Sequence, residues 1–409
     1  MRTALAGVPA RKIVRAIASA AERWSDGDFP PRVRILDRIV ERTGYSLPSV
    51  EYALDRLFFS VTESELIATI RSELGSLEIL DGFTKRESRP DAWASPGGNV
   101  CIISSRTTIG VAIVPAIFAL CAKCDVLVKD REDWLVQAFF ETLAEELDEF
   151  AAAARAAPWE SGGAHPVVLQ EFDVVVAYGG DEAFTNLRKA MHPQARFIAY
   201  GPRASAGYVT RESLEPPQNV HDIAAGAARD LVLYESEGCL SLHVLFVERG
   251  AAISPEEFTR ALADAVERTN VEFPVGRREA ETSARLSHHR NLAAFRAAAG
   301  TGTVFANAAA EYTLVVNPPK EEPPPFLPRA LGVIPVDCVA DALAYLQMHP
   351  IPLEGFALSS SRSDAVQMAL EAGAVRLTRF GELQHPPLGG DHGGRPRIAE
   401  FIRWIDKTL

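Results

Sequence analysis

Cys239 stands in the run Tyr234-Glu-Ser-Glu-Gly-Cys-Leu-Ser-Leu-His-Val-Leu-Phe-Val-Glu248, where a helix-like pattern over 223–234 breaks at Gly238 and a strand pattern opens at Val244. A thiol at a break between elements can meet a ligand, whereas one inside an apolar run usually cannot. Its thiolate attacks acyl carbons, and a helix end or a neighbouring cation increases the thiolate fraction. Free cysteines are also among the most commonly buried residues, so position alone leaves a small core residue as the alternative. His243 follows four residues later. Along a strand at ~3.3 Å per residue that is about 13 Å, so a general-base role would need a sharp bend in the chain.

A second group of residues could hold a dinucleotide. The strand pattern over 174–177 runs into Gly179-Gly180 and then a helix start at Asp181. Free N–H groups at a helix start attract phosphate and glycines allow close approach, although a plain tight turn has the same composition. Asp181 could itself be the helix cap. Lys129 ends the strand pattern 126–128, with Arg131 and Glu132 just beyond. Lys129 and Glu132 could bond a ribose diol and Arg131 an additional phosphate; the alternative is a solvated charged turn. Ser104, at the end of the run 100–104, and Gly201, after the run 196–200, complete the cofactor-side candidates.

The elements needed to position these groups alternate. Strands over 100–104, 126–128, 174–177 and 196–200 are separated by helices over 109–124, 132–154 and 181–191, which predicts a parallel sheet covered on both faces. Its ligand crevice is expected at the strand ends. A second α/β stretch begins near Ser213. It contains a strand at 244–248, a helix at 255–268, a proline-rich surface crossing at 317–328, strands at 332–336, 356–359 and 375–378, and helices at 339–348 and 363–373. Residues up to about 59 read as amphipathic helices, with Ile13, Val14, Ile17, Ala20, Ala21 and Trp24 on one face. The expected divisions are a helical segment over 1–95, a dinucleotide domain over 96–212, a cysteine-bearing domain over 213–390 and a C-terminal helix over 391–409.

Composition narrows the partners. A net charge of -12 argues against nucleic acid and strong attachment to anionic lipid. The most apolar stretch, 109–124, is too short for a membrane span, and no signal peptide is expected. Five cysteines do not suggest a disulfide framework, and a reducing cytoplasm is the expected compartment. Cys121 and Cys124 form a lone CxxC that reads as two small residues on a buried helix end, since zinc needs about four ligands. His288-His289 reads as a polar helix face; no metal is expected.

Taken in order, strand–Lys-x-x-Glu, strand–Gly-Gly–helix, strand–Gly-x-Arg and helix–Gly-Cys–strand resemble the aldehyde dehydrogenase superfamily. Within it the chain is most similar to the acyl-CoA reductases of the LuxC type, which make fatty aldehyde in bacterial luminescence. The matches are Glu237-Gly-Cys-Leu-Ser-Leu-His243, Phe197-Ile-Ala-Tyr-Gly-Pro-Arg-Ala-Ser-Ala-Gly-Tyr208 and the tail His392-Gly-Gly-Arg-Pro-Arg-Ile-Ala-Glu-Phe-Ile-Arg-Trp-Ile405. The similarity runs from about residue 97 onward. It implies an α/β, aldehyde dehydrogenase-like fold: two Rossmann-like parallel-sheet domains with an N-terminal helical segment. It also implies Cys239 as nucleophile, Lys129 and Glu132 on the adenosine ribose, and Gly179 and Gly180 under the pyrophosphate.

Some positions depart from the family. The glutamate that activates water in hydrolytic aldehyde dehydrogenases falls at Ala199, followed by Tyr200. Without that carboxylate water attack on an acyl-enzyme should be slow, which suits exchange with a thiol such as coenzyme A. The glutamate that touches the nicotinamide ribose falls near Pro325. The oxyanion-hole asparagine falls near Arg106, Thr107 or Thr108; Thr108 is the side-chain donor carried forward, beside the N–H of Cys239. Leu242 replaces the LuxC-type proline. Glu235 and Glu237 would raise the thiol pKa if they faced it. The family's long C-terminal pairing arm is expected to be missing. The reading is therefore an acyl-CoA reductase using NADPH, or NADH, through an acyl-cysteine. The alternatives are an acyl-phosphate reductase of the glutamyl-phosphate type, or a cofactor-binding protein with a decayed site. A homo-oligomer and an acyl-activating or acyl-transferring partner enzyme are compatible with it.

Overall fold

The computed structural model describes residues 3–86, 89–105, 108–129, 134–157, 169–215 and 217–408. Two compact units divide them. The first comprises Met1–Thr43, Val50–Gly201 and Pro387–Leu409, the second Gly44–Ser49 and Pro202–Pro386.

In the first unit the helix Ala10–Ser25 buries Ile13, Val14, Ile17, Ala20, Ala21 and Trp24, the apolar face read from the sequence. The Trp24 indole N–H donates to the Thr142 hydroxyl at 3.0 Å, so the one polar atom of that face is satisfied. Strands β1 (Thr84–Arg86) and β2 (Arg89–Pro96) precede β3 (Asn99–Ile103), β4 (Asp125–Lys129), β5 (Ala154–Ala156), β6 (Val174–Tyr178) and β7 (Arg196–Tyr200). The last five form a parallel sheet in the order β5-β4-β3-β6-β7. Cys101, Leu127, Val175 and Ala177 pack on one of its faces against Leu169, Phe172 and Met191. Cys121 and Cys124 are fully buried, and Cys124 Sγ lies 3.2 Å from the Phe401 carbonyl.

The second unit has β8 (Ala204–Val209), β9 (Leu242–Glu248), β10 (Thr303–Phe305), β11 (Thr313–Val316), β12 (Ala330–Val336), β13 (Leu353–Leu358) and β14 (Arg376–Thr378). They form a seven-stranded sheet in the order β10-β11-β12-β9-β8-β13-β14, parallel except where β10 meets β11. β8, β9, β12 and β13 are buried along their whole length, the pattern of a parallel sheet with both faces covered. The unit opens at Pro202, ahead of the start expected near residue 213, because residues 204–209 form β8, an interior strand of its sheet.

Three sequence expectations are corrected. The expected helical segment over 1–95 is helical only as far as Leu74 and the short turn Glu78–Leu80; β1 and β2 follow it. The helix expected over 132–154 is two helices, Leu135–Glu146 and Phe150–Ala153, broken where Leu147 adopts an extended backbone, and β5 begins at Ala154. The expected C-terminal helix is a strand, Ile402–Lys407, paired antiparallel with β2. Ile398, Phe401, Ile402 and Ile405 have helical spacing, but Glu73 overrides it. Its carboxylate accepts from the N–H groups of Arg397, Ile398 and Ala399 at 2.7, 2.9 and 2.9 Å, and β2 offers the following residues an edge.

Hydrogen bonds to a charged acceptor contribute about 1.5–3 kcal/mol each and are not additive when they share one carboxylate. Glu73→Ala should therefore lower unfolding free energy by roughly 2–4 kcal/mol in urea titration; a change under ~0.5 kcal/mol would show that the tail is held by its strand pairing alone.

Candidate functional site

Cys239 and Leu240 are the central residues of a turn closed by Ser241 N–H donating to the Gly238 carbonyl at 3.0 Å. The turn lies ahead of β9, at the amino edge of the second sheet. The carboxyl-edge crevice expected from the sequence thus applies to Lys129, Gly179 and Gly201 in the first unit, and not to the thiol. Buried side chains anchor the turn at both ends. Ser205 Oγ donates to the Cys239 carbonyl at 3.0 Å and accepts Gly355 N–H at 3.0 Å; Gln384 donates to Ser241 Oγ at 2.8 Å.

The backbone entering this turn is left-handed. Tyr234, Glu235 and Ser236 have φ of 56°, 50° and 58°, in a stretch without glycine. Each such residue costs about 1–2 kcal/mol, so three in succession require compensation. Arg329, fully buried, donates to the Glu235 carboxylate, to Asn270 Oδ1 at 2.6 Å and to the Phe273 carbonyl at 3.0 Å. Arg278 reaches the other Glu235 oxygen at 3.2 Å. Ser236 Oγ donates to the Leu231 carbonyl at 2.6 Å and accepts Arg329 N–H at 3.0 Å. Tyr45 OH donates to Glu237 at 3.3 Å.

Cys239 as a residue is half-buried, but its sulfur is buried, and that burial pushes the thiol up to about 12. Glu354 raises it further; the N–H groups of Cys239 and Leu240 and the Arg203 guanidinium act in the opposite direction. The carboxylate that bears on the sulfur is thus Glu354, 3% exposed and 3.5 Å from Arg203 Nε. Glu235 and Glu237, the carboxylates nearest in sequence, engage Arg329, Arg278 and Tyr45 instead. Glu354 and His243 share a further property. Ser205 pairs with Gly355 while Ala204 pairs with Leu353, and Ser205 pairs with Leu242 while Ala206 pairs with Val244. Each residue is the extra one of a bulge beside the first residues of β8. Bulges re-aim side chains and are uncommon in parallel sheets. His243 Nε2 lies 3.0 Å from the Ser236 carbonyl, so this nitrogen is committed to the backbone ahead of the thiol, while Nδ1 is buried with no hydrogen-bond partner among the described residues.

The cofactor-side candidates lie in the first unit. Lys129 ends β4 and is buried; Arg131 and Glu132 fall outside the described residues, as do Arg106 and Thr107. Ser104 is buried after β3, its hydroxyl donating to the Ser105 carbonyl at 3.1 Å; Thr108 is half-buried just beyond. Gly179 and Gly180 join β6 to the helix Asp181–Ala190, and Gly201 follows β7. Gly180, not Asp181, is the helix cap. Gly179 N–H donates to the Tyr200 carbonyl at 3.2 Å, and Tyr178 and Tyr200 stack at 4.9 Å with His392 against Tyr200 at 4.5 Å. Neither Gly179 nor Gly180 has a positive φ. A Cβ at Gly180 would meet nothing within 4 Å, and one at Gly179 only ordinary contacts from 3.5 Å. The backbone does not itself demand glycine here.

Residues 5–404 match the family model described as Acyl-CoA reductase (LuxC). The chain belongs to this family. The LuxC-family match covers nearly all of it, and curated relatives agree. A long-chain acyl-protein thioester reductase of Aliivibrio fischeri is 21% identical over 238 residues, 56% of this chain and 48% of the relative, so the chain spans about half that relative's length. Long-chain acyl-protein thioester reductase 2 of Photobacterium leiognathi is 18% identical over 404 residues, 96% of this chain and 81% of the relative. Among solved structures, an NAD-dependent benzaldehyde dehydrogenase of Corynebacterium glutamicum superposes with a TM-score of 0.72 at 16% identity, covering 99% of this chain and 87% of that one. The NADP complex of the glyceraldehyde-3-phosphate dehydrogenase GapN of Methanocaldococcus jannaschii gives 0.72 at 10% identity, covering 98% and 91%. The fold is that of the aldehyde dehydrogenases. Among the described residues no helix is long and apolar enough to cross a membrane.

The thiol's environment predicts its titration. Alkylation of Cys239 by iodoacetamide should rise about tenfold per pH unit up to near pH 10 without a plateau, because only the thiolate reacts. Glu354→Gln removes the like charge and should shift the profile to lower pH, with several-fold faster alkylation at neutral pH. A plateau below pH 8 in the parent protein, read by peptide mass spectrometry, would contradict this electrostatic account.

Proposed function

We propose that this LuxC-family chain reduces an acyl thioester, with acyl-CoA the expected substrate, to an aldehyde through an acyl-cysteine at Cys239. The observation that carries the reading is the braced turn that holds Cys239, a partly exposed residue, in a chain of this family; the resemblance that puts Ala199 at the water-activating position supports it.

Cys239 Sγ attacks the thioester carbonyl as its proton departs. The C–S bond to coenzyme A breaks, and that thiolate leaves with a proton. The N–H of Cys239, and the Thr108 hydroxyl by resemblance, are the proposed donors to the oxygen that becomes negative. With Ala199 offering no base, water has no activated route to the acyl-enzyme, and the acyl group waits for reduction or for return to a thiol.

A nicotinamide dinucleotide fits the first unit's residues. Gly179 and Gly180 leave the backbone approachable where the helix Asp181–Ala190 starts; Gly179 N–H is held by Tyr200, so the N–H groups on offer are those of the helix start, and Lys129 ends the next strand but one. When bound, it would supply the hydride that reduces the acyl carbon. Gly179 and Gly180 would hold the pyrophosphate, Lys129 with Glu132 the ribose, and Arg131 a 2′-phosphate; Ser104 and Gly201 would border it. Asp181 and Glu182 add negative charge at the helix start, so anion binding relies on the N–H groups.

Mixed with acyl-CoA and NADPH, the protein should consume nicotinamide absorbance and release aldehyde, and Cys239→Ala should abolish turnover. No turnover with any acyl chain length, or full turnover in Cys239→Ala, would refute the reading. NADPH is the expected donor; saturation curves for both reduced nucleotides test this, and equal use of NADH would remove that preference.

A further inference from the structure

Nε2 of His243 faces a carbonyl oxygen, which can only accept, so this nitrogen carries the proton and donates to Ser236. The ring is 5% exposed and reaches that carbonyl because the β9 bulge turns residue 243 out of the regular strand alternation. The bonded carbonyl belongs to the last residue of the left-handed run. The same residue's hydroxyl is held between Leu231 and the backbone N–H of Arg329, and the residue before it is gripped by the Arg329 guanidinium. Two residues, Glu237 and Gly238, separate this clamp from Cys239.

We infer that His243, with Arg329, is a positioning residue: the two lock the left-handed segment Tyr234 to Ser236 and thereby set the orientation of the Cys239 turn toward an acyl carbonyl. Nε2 is committed to the backbone as a donor, which leaves Nδ1, buried with no hydrogen-bond partner among the described residues, as the one ring atom that could take a proton; the variants below separate that role from positioning. Burial, which outweighs the pull of the Ser241 and Ser236 carbonyls, keeps the ring below the ordinary histidine value and neutral at pH 7. Arg329 supplies the charge that closes over Glu235. The inference rests on Cys239 as the reacting thiol.

The experiment compares His243→Gln, whose side-chain amide can donate to the Ser236 carbonyl, with His243→Leu, which cannot. Each is measured for iodoacetamide alkylation of Cys239 against pH and for acylation by acyl-CoA in the absence of nucleotide, with circular dichroism melts to verify folding. In His243→Leu the relaxed turn should rehydrate the sulfur, lowering its apparent pKa by at least one unit, while acylation slows at least tenfold. His243→Gln should recover most of both changes. A general base would leave His243→Gln as slow in acylation as His243→Leu, and an idle histidine would leave both variants like the parent; either result overturns the inference. If the parent protein is not acylated at all, the reading of Cys239 as an acyl acceptor fails, and the alkylation profiles of the two variants still decide whether the clamp exists.

Discussion

Arg329 carries a guanidinium into a part of the second unit that has no solvent exposure, and Glu235 makes this tolerable. Burial pulls the arginine below its ordinary value and Glu235 pulls it back. Removing one partner of such a pair leaves an uncompensated charge, a loss of about 3–5 kcal/mol in comparable cases. Here the pair also fixes geometry. Glu235 is the middle residue of three left-handed ones, and Arg329 immediately precedes β12, the strand paired with β9. A buried charge, a strained backbone and the turn bearing Cys239 are consequently fastened to adjacent strands of one sheet.

The thiol this assembly presents is quiet at rest. Its burial and the nearby Glu354 hold it protonated at neutral pH, while Arg203 and two backbone N–H groups stand ready to favour the anion. Such a balance suits a nucleophile that must meet an acyl thioester and avoid adventitious alkylation or oxidation. Ala199 fits the same account, because an acyl-enzyme without an activated water persists long enough to be used. Cys101, Cys121 and Cys124 provide an internal comparison: burial is the main cause that pushes all three up to about 12, and it acts alone only on Cys121.

Local signals made much of the fold legible. The apolar runs at 100–104, 126–128 and 174–177 became strands buried on both faces, the run at 196–200 became the edge strand with only Ile198 buried, and the Gly-Gly turn after β6 was visible as composition. What failed was non-local. The tail carries helical spacing, yet three N–H groups captured by Glu73 and a free edge on β2 make it a strand; neither cause is near it in sequence. The turn that carries Cys239 was legible because Gly238 breaks the pattern beside it. The bulge positions of His243 and Glu354 were not, since a bulge is a property of pairing between strands distant in the chain. A buried Arg329 was equally hidden: in Phe326-Leu-Pro-Arg-Ala it reads as a surface cation after a proline-rich crossing, and its partner lies 94 residues earlier.

The most direct measurement is peptide mass spectrometry of the protein after exposure to acyl-CoA without nucleotide, followed by addition of free coenzyme A. The account predicts a single acyl increment on Cys239 that survives in buffer and is removed by coenzyme A. An unmodified Cys239, or acyl groups spread over other side chains while Cys239 stays free, would contradict it.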